Sequence, residues 1–483
     1  MLTFIIFLLF TLIVLLFLIN ESNIRLQKFL SIITSSIILI LSVYLLVTFD
    51  ITNSNFQFIE NYAFSTNYFN LYFSFGLDGI SILLYVLTSL LSFLCVLFVL
   101  EEKNFKFYVL NLFSIQLFLL LVFSVLDLLL FYIFFEAILI PMYLIVGVFG
   151  SRSRKIRAAY LLFFYTLVGS LIMLIGIIYI FKTTGSLNFE YLFCYVFNFT
   201  EQYWLWLAFF LSFASKIPVF PLHIWLPEAH VEAPTIGSVL LAGILLKLGV
   251  YGFLRISLTL FPDASLFFSP ILYVLCSIGV IYTSLTAIRQ TDIKRIVAYS
   301  SIAHMNLIVI GLFSFTLIGL DGALLQTISH GFVASGLFFL IGILYQRYGS
   351  RSIFYYGGLV HVMPLYSTIF LIFTLANIAL PGTSSFIAEF LLLIGIFKVN
   401  STLTLIVALS VIIGGSYSLW LYNRLIFGNI KIYFMSNYSD LNFKEIAILL
   451  PLLLLVLIVG IHPMFLLSFF QKTLYPIILN IMI

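Results

Sequence analysis

Charged residues in this chain come in short clusters, and the stretches between clusters stay apolar for about twenty residues at a time. At ~1.5 Å of rise per residue, a helix of roughly 20 apolar residues crosses the hydrocarbon layer of a bilayer. The clustering decides the fold class, because the 483 residues include only 22 basic and 18 acidic ones, and an even spread would interrupt every candidate span. With 63% apolar residues, the composition excludes a water-soluble enzyme. The net charge of +4 is too small to mark a nucleic-acid surface. Cys95, Cys194 and Cys276 are scattered in apolar surroundings, so they predict no metal quartet, iron–sulfur run or disulfide framework.

Cutting at charges, prolines and polar clusters predicts an all-α polytopic membrane protein with about fourteen transmembrane helices. They lie near 2–20, 29–48, 80–100, 107–126, 128–149, 158–181, 204–226, 236–256, 269–288, 296–314, 319–345, 365–397, 402–427 and 446–470. The first twenty residues lack a basic n-region and a small-residue cleavage site, which predicts a retained span. The longest connections, 49–79 and 182–203, are aromatic and Asn-rich and fall on one side. With termini outside, sixteen of the 22 basic residues lie on the inner side, among them Lys103, Lys106, Arg152, Arg154, Lys155, Arg157, Lys294 and Arg351. Only Lys182, Arg255, Lys398 and Lys472 fall outside, an asymmetry that follows the positive-inside rule.

Lys216 and Lys247 fit neither side, and Glu136 and Glu389 share their position near mid-span. Each sits roughly 10–15 Å from the nearer helix end, beyond easy snorkelling. A mid-membrane charge costs about 2.5–3.5 kcal/mol on insertion scales, so each needs a partner, water or a neutral state. The plainer reading is a set of structural ion pairs. Two acids and two bases on four spans point instead to proton or ion transfer, since buried carboxylates and amines move toward neutrality when desolvated. His304 and His330 lie within the tenth and eleventh spans, where an imidazole can accept a proton on one nitrogen and release one from the other. A hydrogen-bonded core histidine is the alternative for each. Asp127 begins a helix and is read as an acid meeting the helix dipole, outside the relay.

Two spans carry interruptions. Lys216 is followed by Pro218 and Pro221, and the span 365–397 contains Pro381-Gly382. Proline removes a backbone donor and frees a carbonyl, and broken backbone at membrane depth is tolerated only where it is buried or faces water. The breaks fall in spans seven and twelve, five apart, which predicts two inverted five-helix repeats over spans 4–8 and 9–13. The chain then divides into N-terminal spans (1–106), a first repeat (107–256), a second repeat (269–427) and a C-terminal span (446–483).

The segment Phe220–Pro234 (FPLHIWLPEAHVEAP), continued by Leu245–Gly252 (LLKLGVYG), resembles the signature of the antiporter-like membrane subunits of respiratory complex I. Supporting matches are Gly76–Ser81 (GLDGIS), Phe135–Tyr143 (FEAILIPMY), Tyr299–Met305 (YSSIAHM) and Ile328–Phe332 (ISHGF). The resemblance covers residues 70 to 430, and the first seventy match only by being apolar. Within the family it favours the members that lack a long lateral C-terminal helix.

The resemblance implies a proton-translocating inner-membrane module with broken seventh and twelfth helices. Glu136 matches the fifth-helix acid, Lys216 the broken-helix lysine and Lys247 the eighth-helix lysine, while His304, His330 and Glu389 match the second half-channel. NADH, FMN, iron–sulfur clusters and ubiquinone would then belong to partner subunits, since no redox motif occurs in this chain. Neighbouring antiporter-like subunits are the implied partners, in a mitochondrial inner membrane with both termini toward the intermembrane space. His223, Glu228, His230 and Glu232 are read as a hydrogen-bonded turn, with proton uptake as a second role. The Arg152–Arg157 run is a topology anchor first and a cardiolipin contact second. The rival function is a subunit of a multisubunit Na+/H+ antiporter, which shares fold and signature.

Overall fold

The computed structural model describes residues 1–65, 70–100, 104–431, 433–434 and 439–482, so Lys103 lies outside the described residues. Among them, eleven helices are long and apolar enough to cross a membrane, and Leu2–Leu18, Pro364–Asn377 and Met464–Leu479 are shorter apolar helices. The helices Thr235–Leu260 and Leu317–Tyr348 form the buried centre, whereas Lys155–Thr184, Pro262–Ile288 and Ser401–Ile426 turn much of their surface outward.

Both expected breaks are present. The seventh segment is helical over Phe199–Lys216 and again over Trp225–Glu232, and the twelfth over Pro364–Asn377 and Ser384–Val399. Backbone groups freed by the breaks find new partners. Trp225 Nε1 donates to Ser215 O at 2.9 Å, Thr383 Oγ1 donates to Leu380 O at 2.7 Å, and Ser385 Oγ donates to Ala376 O.

The chain departs from expectation at its two ends. Part of the connection 49–79 is an antiparallel hairpin of β1 (Gln57–Ser65) and β2 (Asn70–Leu77), with Glu60 opposite Phe75 and Tyr62 opposite Phe73. Glu60 earns that structure a second role: its carboxylate accepts from the Met1 amino group and from Leu2 N and Thr3 N, capping the first helix. The expected last span 446–470 is two helices, Phe443–Ile461 and Met464–Met482, because Pro463 disfavours helical backbone at His462. The second of these crosses the start of helix Gly79–Val99 so closely that a Cβ on Gly79 would lie 1.9 Å from Phe469 O.

Bridges from Phe75 to Val125 and from Asp127 to Asn188 gather the hairpin, the start of helix Leu128–Ala137 and the connection after Thr184 at one end. The expectation that 49–79 and 182–203 share a side is met. This end, which also holds Met1, is called the hairpin end below. Asp127 accepts from Leu129 N and Leu130 N, the helix-terminal role read from its position.

Candidate functional site

Lys216 ends its helix because Pro218 and Pro221 follow, and it is buried against the helix that carries Glu136. Its Nζ lies 3.7 Å from Glu136 Oε1 and donates to Phe135 O at 2.5 Å. The ammonium also sits 3.1 Å from the centre of the Phe135 ring, so carboxylate, carbonyl and ring face share one charge. The Glu136 helix is interrupted at Ile138, between Leu128–Ala137 and Leu139–Phe149, beside this contact. A cavity of about 20 Å³ bordered by Met142, Thr166, Lys216 and Trp225 adjoins the ammonium, room for one water.

Lys247 is fully buried in helix Thr235–Leu260, whose turns at Leu241–Leu245 and Phe253–Ser257 are π-helical. Such wide turns are frequent at functional sites. Lys247 Nζ donates to Ala242 O at 2.5 Å and meets His330 Nδ1 at 2.9 Å. The two helices approach this closely because glycines face each other: a Cβ on Gly331 would lie 3.3 Å from Gly243 O, and one on Gly243 would lie 3.9 Å from Gly331 O.

From His330 the polar line continues. The His304 ring centre is 5.8 Å from that of His330, and His304 Nδ1 lies 3.1 Å from Glu389 Oε1. Gln326 Nε2 donates to the same carboxylate oxygen at 3.2 Å and lies 3.4 Å from His304 Nδ1. Lys247, His330, His304 and Glu389 therefore form one line of neighbouring titratable groups. Glu136 and Lys216 form a separate pair. Between the two lysine helices, Ile217 and Phe213 pack onto Gly249 and Gly252, and this apolar contact divides the set.

Chemically, a proton on Lys247 can pass to His330 Nδ1, an imidazole can relay it from its other nitrogen, and Glu389 can receive it through His304. Glu228 pairs with Arg295 at 2.7 Å, and His230 stacks on Phe338 with ring centres 4.8 Å apart. Lys294 Nζ donates to Ala233 O at 2.9 Å. The signature segment thus ties the broken helix to helices Ile293–Leu312 and Leu317–Tyr348. Among the described residues no cluster of three His, Cys, Asp or Glu is placed to hold a metal ion.

Three polar residues carry more than the sequence assigned them. Arg255, expected in an outer connection, is buried in its helix and bonds Asp78 Oδ2 at 2.5 Å. It stays in the membrane end because Asp78, at the N-cap of Gly79–Val99, supplies the opposite charge. Arg351 is buried 3.8 Å from Asp292. Gln326 was not singled out; its signal was an amide four residues before His330, one turn along the same face.

A family model described as NADH:quinone oxidoreductase/Mrp antiporter, TM, matches residues 125–414, a stretch that contains all six candidate residues. NADH-ubiquinone oxidoreductase chain 4 of Marchantia polymorpha is 51% identical over 447 residues, 92% of this chain and 90% of the relative. The chain belongs to the NADH-ubiquinone oxidoreductase chain 4 family. The Arabidopsis thaliana member of that family is 50% identical over 453 residues, 93% of this chain and 91% of the relative. Among solved structures, a chain of respiratory complex I from Thermus thermophilus with bound NADH superposes with a TM-score of 0.89 at 30% identity, over 99% of this chain and all of that one. A chain of the Mrp complex from a Dietzia species gives 0.87 at 20% identity over 99% and 97%, which shows that the two chains share a fold.

Proposed function

We propose that this chain is a proton-translocating subunit in the membrane arm of the mitochondrial NADH:ubiquinone oxidoreductase. The observation that carries the reading is the line of neighbouring titratable groups Lys247, His330, His304 and Glu389 in the buried centre. Electron transfer from NADH to ubiquinone, with FMN and iron–sulfur clusters, belongs to partner subunits. This chain converts its consequences into proton movement.

Glu136 holds Lys216 in its charged form by attraction across 3.7 Å. When a neighbouring antiporter-like subunit draws the carboxylate away, the buried ammonium loses that support and releases its proton. Water carries the proton across the apolar contact at Ile217 to Lys247, and His330 and His304 pass it to Glu389 and the outer side. The chain lies in the inner membrane with both termini toward the intermembrane space, in keeping with the asymmetry of its basic residues. Arg152, Arg154 and Arg157 are exposed at the opposite end from the hairpin and suit an anionic lipid such as cardiolipin.

The Mrp-type reading, cation–proton exchange without electron-transfer partners, is weaker, because the 51% relative bears the oxidoreductase name whereas the Mrp likeness is 20%. Isolation of the tagged chain in mild detergent distinguishes the two. Recovery of an assembly that contains flavin and iron–sulfur clusters and acidifies vesicles on NADH oxidation supports the proposal. Recovery in a cation antiporter lacking both overturns it.

A further inference from the structure

Helices Lys155–Thr184 and Phe199–Lys216 pack antiparallel and meet at two glycines. A Cβ on Gly169 would lie 2.8 Å from Leu211 O, and one on Gly176 would lie 3.2 Å from the Phe209 ring. Exposed Val168, Ile175 and Trp204 stand above these small residues, which leaves a groove along the outer face of the helix pair. Two cavities lie in it, one of about 440 Å³ bordered by Gly176, Tyr179, Glu201 and Trp204, the other of about 350 Å³ bordered by Val168, Gly169, Leu211 and Ser215. Ile172 lines both, so they are continuous. From Tyr179 to Tyr165 on one helix, and from Glu201 to Ser215 on the other, the groove runs ~21 Å at the rise of a helix, more than half of a hydrocarbon layer ~30 Å thick. A groove of that depth accepts an acyl chain lengthwise, from the headgroup level to mid-membrane.

Its mouth is at the hairpin end and is polar. Tyr179 Oη donates to Glu201 Oε1 at 3.0 Å, and Asn198 N donates to Oε2 at 3.1 Å. An ionised carboxylate offers about four lone-pair sites, so each oxygen keeps one for a further donor. Lys182, which is exposed, follows three residues after Tyr179 and continues the same helix face toward water. Tyr179 and Trp204 are the residue types that settle at the membrane–water interface. One negative and one positive group thus stand at headgroup depth beside the open end of an apolar groove.

We propose that this groove binds one phospholipid with a primary-amine headgroup, of the phosphatidylethanolamine class. Its ammonium donates to Glu201, its phosphate faces Lys182, and one acyl chain lies along Gly176 and Gly169 toward Ser215. The charges at the mouth select the headgroup. An anionic lipid without an amine would leave the Glu201 carboxylate facing negative charge. A choline head has no N–H to give the carboxylate oxygens, whereas a primary ammonium makes a charge-assisted hydrogen bond there.

The test is photolabelling of the detergent-isolated assembly with phosphatidylethanolamine that carries a diazirine in one acyl chain, the labelled peptides being located by mass spectrometry. The readout needs no turnover, so it is independent of the proton relay. Label is expected on the peptides covering 165–179 and 204–215, displaced by plain phosphatidylethanolamine and about tenfold less well by phosphatidylcholine or phosphatidylglycerol. Glu201→Gln keeps the length of the side chain and one acceptor oxygen but removes the charge, and it lowers the label about tenfold. If that variant does not assemble, Ala208→Phe fills the groove beside Gly176 and abolishes the label there, with labelling elsewhere on the assembly unchanged. A parent without label in these peptides, as when a protein helix occupies the groove, overturns the site. Equal displacement by all three lipids, or undiminished label in an assembled variant, overturns it as well.

Discussion

Lys247 Nζ and His330 Nδ1 lie 2.9 Å apart, joining helix Thr235–Leu260 to helix Leu317–Tyr348 through a single hydrogen bond. Residues 83 apart in sequence meet because Gly243 and Gly331 let the two backbones approach. With Lys247 protonated, Nδ1 accepts, so His330 carries its own hydrogen on Nε2 and points its remaining chemistry toward His304. His330→Gln keeps a polar partner for Lys247 but cannot relay a proton. It is expected to assemble normally and to lower the proton-to-electron ratio. Native gels together with vesicle acidification per NADH oxidised measure both, and an unchanged ratio would remove His330 from the path.

Gln326 Nε2 donates to the Glu389 carboxylate at 3.2 Å, beside His304 Nδ1 at 3.1 Å from the same oxygen. Gln326→Leu leaves that oxygen with His304 alone. Losing one partner of a buried charged acceptor costs about 1–3 kcal/mol. The expected outcome is a complex that assembles but turns over more slowly when proton transfer is coupled, with little change once an uncoupler is added. An equal slowing with and without uncoupler would place the defect in electron transfer instead.

Gly79→Ala tests how the C-terminal helix is seated. The new methyl would fall 1.9 Å from the Phe469 carbonyl oxygen, a backbone atom with no rotamer to yield. Overpacking of this kind costs typically about 1–3 kcal/mol. Limited proteolysis should cut between Ile461 and Met464 faster in the variant than in the parent. Equal cutting rates would mean that the contact yields without loss.

Glu136 and Lys216 are expected to be coupled in stability as well as in function. Removing one member of a buried pair costs on the order of 3–5 kcal/mol, because the other charge is left without compensation. Glu136→Gln should therefore lower the amount of assembled complex, and Lys216→Met added to it should restore most of the loss. The double-variant cycle reads the coupling directly. Additive losses would show that the 3.7 Å contact carries no energy.

Much of this was legible in the sequence, and the exceptions have physical reasons. Apolar run length placed the spans, and Pro218, Pro221 and Pro381 placed the breaks, because a missing N–H acts on its own backbone whatever surrounds it. The six candidate residues stood out because a charge or imidazole at mid-span is costly. Arg255 did not, since a basic residue near a span end looks like a loop anchor until Asp78, 177 positions earlier, is seen beside it. The hairpin 57–77 was missed because its signal is short alternation inside a polar connection, and the wide π turns around Lys247 have no sequence signature at all. Which groups touch was likewise beyond the sequence, since Lys247–His330 depends on helix crossing.

The central claim is that Lys216 gives up a proton that this chain moves. Lys216→Met, in a complex shown to be fully assembled and reconstituted into sealed vesicles, tests it through protons translocated per NADH oxidised. The account predicts a lower ratio than in the parent, with electron transfer persisting once an uncoupler is present. A ratio equal to that of the parent, at normal assembly, would contradict it.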